Sequence, residues 1–307
     1  MSRTTLGLVG TLALLALVSS CSINTIALNA VSNALTGEGA NTFATDNDPE
    51  LVGDALPFAL KLYDSLLAQN PDHEGLIIST SSAYVTYANA FLQTPADMLP
   101  YYEFERKEEL KARAKNLYLR GRDIALDGLD KKYDGFAEAL ANDELEPFLA
   151  QMTAEDVPYL YWAGAGWMGA FSLDVFDLRL SMTLPRAAAL MERALELDSD
   201  FSDGAIHSFY ISYYGSLPAE LGGDKEQAKY HFDRAVEISD GLLAGPYLAY
   251  AEAIVLPAQD LEAFTALLDQ ALEIDPEADP DNRLANVIFQ RKAQWYLDNL
   301  EEFFNID

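Results

Sequence analysis

From Leu51 onward apolar residues recur at helical spacing with few breaks, and strand-type alternation is scarce. The periodic runs are punctuated by Pro71, Pro95, Pro100, Pro147, Pro158, Pro185, Pro218, Pro257 and Pro276, which are expected to mark helix ends. Asp46-Asn47-Asp48-Pro49 supplies capping and turn residues just ahead of the first run. The runs also repeat one another. Residues 191–198 (MERALELD), 232–239 (FDRAVEIS) and 268–275 (LDQALEID) share an ending, and their alanines Ala194, Ala235 and Ala271 are spaced by 41 and 36. Residues 63–71 (YDSLLAQNP) are a weaker copy. A second apolar helix follows each, over 77–92, 204–214, 246–255 and 284–300.

This pattern resembles the tetratricopeptide repeat (TPR), whose first helix ends in a small residue followed by an acidic, turn-forming stop. The alanine lets the paired helix come close. The spacings exceed the period of roughly 34 residues, so the repeat is degenerate. The expected fold is all-α, a superhelical bundle or α-solenoid of TPR-like hairpins over residues 51–307. Residues 95–185 read as an irregular insertion holding a basic helix, a second helix near 133–149 and an aromatic segment.

Ahead of this domain the pattern changes. Arg3 precedes a 13-residue apolar run from Leu6 to Val18, and small residues lead to Cys21, the one cysteine of the chain. That is the layout of a secretory signal over residues 1–20, shorter than the roughly 20 apolar residues of a membrane span. A cysteine directly after such a junction resembles the bacterial lipobox, so Cys21 is expected to be lipidated; an ordinary secretory signal is the alternative. Ser22 at the following position favours the outer membrane by resemblance to lipoprotein sorting. Residues 21–50 then read as a tether.

Composition narrows the partners. The chain has 307 residues and a formal charge of −29, which excludes nucleic acid and disfavours contact with anionic lipid heads except through the anchor. Residues 101–132 depart from this trend, with nine Lys and Arg among seven acids. Glu103 and Lys107, and Glu109 and Arg113, have the spacing of helical ion pairs. A solvated helix face accounts for the region; a docking surface for an acidic partner through Arg106, Lys107, Lys111 and Arg113 is the sharper reading.

Catalytic, cofactor and metal patterns are missing. His73, His207 and His231 lack ligand spacing, and no G-x-S-x-G occurs. Gly164, Gly166 and Gly169 match a dinucleotide fingerprint only formally, since no strand precedes them. The acidic runs 46–50 and 275–281 lack the Gly and Glu of a calcium loop and read as caps. No enzymatic activity is expected. Two segments remain as candidate ligand sites. Residues 157–173 carry no charge and include Tyr159, Trp162 and Trp167; such a helix is either buried core or the wall of an apolar cavity. His207, Tyr210 and Tyr214 share one helical face and could hydrogen-bond a polar ligand group, or simply belong to a core helix.

Several landmarks coincide in this chain: the lipobox, residues 46–52 (DNDPELV), residues 55–61 (ALPFALK), Tyr161-Trp162-Ala163 with Trp167, and His207-Ser208-Phe209-Tyr210. Together they resemble the TatT family, the TPR-containing lipoprotein component of some bacterial TRAP transporters. The resemblance implies a lipid-anchored helical protein facing the periplasm. It would work beside a P-type substrate-binding protein on a small hydrophobic or carboxylate-bearing ligand, as a ring-like homo-oligomer such as a trimer. A non-catalytic interaction scaffold of the cell envelope is the competing reading.

Overall fold

Helix α1 (Pro49–Gln69) begins at the predicted cap: Asp48 Oδ1 accepts the Leu51 N–H at 3.0 Å and Pro49 takes the first position. The structure, a computed structural model, describes residues 42–305 together with Asn29, Ser32, Asn33 and Thr36. Cys21 and the leader lie outside the described residues, as does most of the apolar stretch before residue 36. Every regular element among the described residues is helical.

After α1 come α2 (Glu74–Ala88), continued by a π-helical turn at Asn89–Gln93 and a last turn at Thr94–Asp97, and α3 (Phe104–Lys132). Two short helices, Phe136–Ala141 and Glu146–Leu149, stand where a longer one is expected from the sequence. Gly135 at φ +87° and Asp143 at φ +59° break that stretch. Then follow α4 (Val157–Leu173), α5 (Leu178–Leu197), α6 (Phe201–Ser216), α7 (Lys225–Ile238), α8 (Ala244–Tyr250) with a second π-helical turn at Ala251–Val255, α9 (Leu261–Glu273) and α10 (Arg283–Asp298).

The segment read as an insertion forms the middle of the N-terminal half. Helix α3 lies between α2 and α4 and packs closely on both. Glycines permit the approach: a Cβ on Gly121 would stand 2.8 Å from the Ser81 carbonyl, and one on Gly166 2.7 Å from that of Tyr118. Ser81 Oγ donates to the Gly121 carbonyl at 2.8 Å, tying α2 to α3. Gly164 of the same helix faces Met191 on α5. The glycines that mimic a nucleotide fingerprint are therefore contact points between helices.

From α6 onward each helix packs on the next, and α6 also touches α8 while α8 touches α10. The aligned Ala194, Ala235 and Ala271 are all fully buried, as close helix packing requires. One expected helix end is wrong. Helix α5 runs through Pro185, which lies on its exposed side, where water can satisfy the carbonyl that proline leaves unbonded.

The start of the continuously described segment meets its last long helix. Leu284 N–H donates to the Ala44 carbonyl at 2.9 Å and Arg283 to that of Thr45 at 2.7 Å. Val52 and Leu56 of α1 share a small core with Leu284 and Ile288 of α10. Lys292 of α10, buried, reaches Asp97 at 3.3 Å and Glu252 at 2.7 Å, one acid following the first π-helical turn and one within the second. Burial favours the neutral amine, but the two carboxylates outweigh it and raise the Lys292 pKa.

Candidate functional site

Helix α4 is apolar on every side, so no face of it is reserved for bulk water. Its residues divide by what they touch. Trp167 is 4% exposed, with its Nε1 donating to Thr183 Oγ1 at 3.1 Å and the Arg122 guanidinium 4.7 Å above its ring. Tyr159 is also buried, and its ring lies against Gly128 under Lys132 Nζ. It forms part of a small cleft of about 150 Å³ with Ile77, Lys131 and Lys132, and its hydroxyl finds no partner there. Trp162 differs. It is half-buried and bridges the two cores of the N-terminal half, with Tyr161 edge-on at 4.9 Å.

Phe209 and Tyr213 of α6 bridge the same two cores, and Tyr214 borders one of them. Tyr213 stacks on Phe209 at 5.9 Å, and Tyr210 stacks on Tyr214 at 5.3 Å. Tyr161 touches Phe201 at the start of α6, joining the α4 and α6 sets. Burial pushes the Tyr161 pKa up to about 12 and raises those of Tyr210, Tyr213 and Tyr214, so all four stay protonated donors at neutral pH. Among the described residues none of these four hydroxyls, nor the Trp162 indole N–H, bonds to protein. The result is an aromatic wall whose polar tips make no bond to protein, with the Glu192 carboxylate near enough to help raise the pKa values of Tyr210, Tyr213 and Tyr214.

Behind the wall stands a contact that spacing alone concealed. His207 Nδ1 and His231 Nδ1 are 2.8 Å apart, linking α6 to α7, and His231 stacks on Tyr210 at 4.7 Å. One nitrogen must donate and the other accept, so one proton lies between the two rings and the accepting ring carries its own on Nε2. The two positions lie at similar distances from the α6–α7 connection. That symmetry is the signal in the sequence that could have paired them. Burial, then the neighbouring His207, lowers the His231 pKa to about 4; His207 is lowered by burial and by Arg234. A His held neutral in the fold but with an unfolded pKa near 6.5 contributes stability above that pH, which is lost as pH falls toward about 4. The urea midpoint is therefore expected to drop between pH 7 and pH 5 by more in the wild type than in His231→Asn. Equal drops would show that carboxylates alone set the acid limit.

The basic set lies apart from the wall, on the solvent side of the N-terminal half of α3. Arg106 pairs with Glu109 at 3.3 Å, but Lys107 and Arg113 do not pair with the acids four residues before them. The acidic runs act as caps: Asp46 accepts the Asp48 N–H and Asp275 that of Glu277. Among the described residues no group of three or more His, Cys, Asp and Glu could hold a metal. None of their helices is long and apolar enough to cross a membrane.

Fold and site together define an all-helical protein in which aromatic side chains of α4 and α6 meet. The family model described as TRAP transporter T-component matches residues 45–304. An uncharacterized protein of Treponema pallidum (strain Nichols) is 34% identical over 304 residues, covering 94% of each chain. The chain belongs to the TRAP transporter T-component family, as its landmarks suggested. It is thereby an accessory component of TRAP-type transport, with the envelope association that role carries.

Proposed function

We propose that this T component is a lipid-anchored protein of the periplasmic face of the outer membrane. In this reading it holds a small hydrophobic or carboxylate-bearing ligand and docks the P-type substrate-binding protein of its transporter, as a homo-oligomer for which a trimer is the expected form. One observation supports ligand handling above all: the aromatic wall of Tyr161, Trp162, Tyr210, Tyr213 and Tyr214 ends in donors that the protein does not use. Rings would cover the apolar body of a ligand, and the hydroxyls would bond its carboxylate. Trp167 and Tyr159 would shape the wall from behind, and His207 would set the position of α6 through His231. The buried alanines and the α6–α8–α10 contacts support a TPR-like arrangement of the C-terminal half.

Mass spectrometry of protein extracted from the envelope tests both halves of the proposal. It is expected to show acyl mass on Cys21, lost in Cys21→Ala, and a bound small molecule, lost in Trp162→Ala. An unmodified Cys21 would remove the anchor, and protein without any bound molecule in native spectra would remove the ligand.

A further inference from the structure

Three tyrosines of α6 make a right-angled corner of rings. Tyr210 and Tyr214 lie nearly parallel, 20° apart with their centres at 5.3 Å. Tyr213 stands edge-on to both, at 87° to Tyr210 and 83° to Tyr214, with centres at 6.0 and 5.3 Å. Spacings of three and four residues on one helix place Tyr213 and Tyr214 beside Tyr210, and Phe209 stacks on Tyr213 at 18°. Tyr213 and Tyr214 are half-buried, so the corner keeps an edge to water.

Helix α5 brings a carboxylate to this corner. Ala189 and Leu195 of α5 pack against the same core as Tyr210, Tyr213 and Tyr214. Glu192 lies one turn from each and so shares their side of the helix. It is exposed, and among the described residues it enters no ion pair. The arginines on either side of it are committed elsewhere: Arg186 to Asp143 at 2.6 Å, Arg193 to Glu196 at 2.8 Å and to the Met152 carbonyl at 2.9 Å. At the other edge the Asp224 N–H donates to the Tyr214 carbonyl at 2.9 Å, which brings in a second acid. Lys225, the next residue, is flanked by Asp224 and Glu226, so three acids stand here against one base. Burial does most to raise the Tyr210, Tyr213 and Tyr214 pKa values. Glu192 adds to all three and Asp224 to that of Tyr214, so the formal charges that reach these hydroxyls are negative.

Ring faces carry the negative side of the aromatic quadrupole and attract ammonium groups. Phenol oxygens accept hydrogen bonds from N–H donors, and an unpaired carboxylate supplies the counter-charge. Tyr210, Tyr213, Tyr214 and Glu192 offer all three together. A ligand carboxylate in the same place would face Glu192 with no ammonium or guanidinium to meet it. The charge of −29 on the whole chain also draws cations toward its surface.

We propose that this corner is the head-group site of the aromatic wall and takes the protonated amine of a small ligand whose apolar body lies against Trp162 and Phe209. The proposal rests on the reading of the wall as a ligand site. Of the ligands that reading allows, it selects the hydrophobic one and gives it a cationic head. Three probes that share one apolar body test it: phenethylammonium, phenethyl alcohol and hydrocinnamate, titrated calorimetrically into the full chain at neutral pH. The ammonium is expected to bind on the order of tenfold more tightly than the alcohol, and the carboxylate most weakly. Glu192→Gln, a change at an exposed position, is expected to bring the ammonium down to the affinity of the alcohol and to leave the alcohol unchanged. Trp162→Ala is expected to weaken all three alike. No preference for the ammonium, or a preference that survives Glu192→Gln, would overturn the cationic head; the wall would still stand as a ligand site if Trp162→Ala weakened binding. No binding of any probe by the wild type, or binding that Trp162→Ala leaves untouched, would overturn the wall together with its head-group site.

Discussion

Lys292→Met is expected to destabilise the protein by about 3–5 kcal/mol, the cost of leaving buried charge without its partner. Lys292 pairs with Asp97 and Glu252 at once, and the Tyr296 hydroxyl donates to Glu252 at 2.9 Å. Burial and the Glu252 carboxylate both raise the Tyr296 pKa, which keeps that donor protonated. Removing the ammonium leaves two carboxylates facing one another in a half-closed site. The same replacement combined with Asp97→Leu and Glu252→Leu is expected to recover much of the loss, since an apolar triad has no charge to desolvate. Urea unfolding of both variants measures this; a loss below about 1 kcal/mol in the single variant would show that water already reaches the cluster.

Trp167→Ala is expected to cost a similar amount, roughly 3–5 kcal/mol, because it removes a buried indole from a close-packed interior. It also removes the indole N–H from Thr183 Oγ1 and the ring from beneath the Arg122 guanidinium. Trp162→Ala should cost less, since Trp162 is only partly buried. On the proposed reading, two tryptophans five positions apart on one uncharged helix would separate into a stability residue and a ligand residue. Thermal melts of the two variants decide: equal losses would place Trp162 in the core and remove it from the wall.

Much of the fold was legible because its signals are local. The shared endings at 191–198, 232–239 and 268–275 are the ends of α5, α7 and α9, and their alanines are buried where helices meet. The wall was half legible. The uncharged helix and the His207–Tyr210–Tyr214 face could be read from spacing, but nothing in the sequence says that of two tryptophans on that helix Trp167 is buried and Trp162 only partly so. Pro185 misled because a proline on an exposed helix side removes a hydrogen bond that water replaces. The contacts that defeated the sequence are the distant ones. Lys292 and Asp97 are 195 residues apart, and no periodicity links them.

The meeting of α1 and α10 also sets an order of events. Arg283 and Thr45, joined by a hydrogen bond, are 238 residues apart, so their contact carries nearly the full loop-closure entropy of the chain. Helices α6 to α10 can assemble from neighbours as each is made. The start of α1 cannot: its partner is the last long helix to be synthesised. Phe43, Val52 and Leu56 therefore stay without their C-terminal cover until the whole chain is present. Maturation ends with a single late closure, and any chain shortened at its C-terminus keeps that apolar edge open.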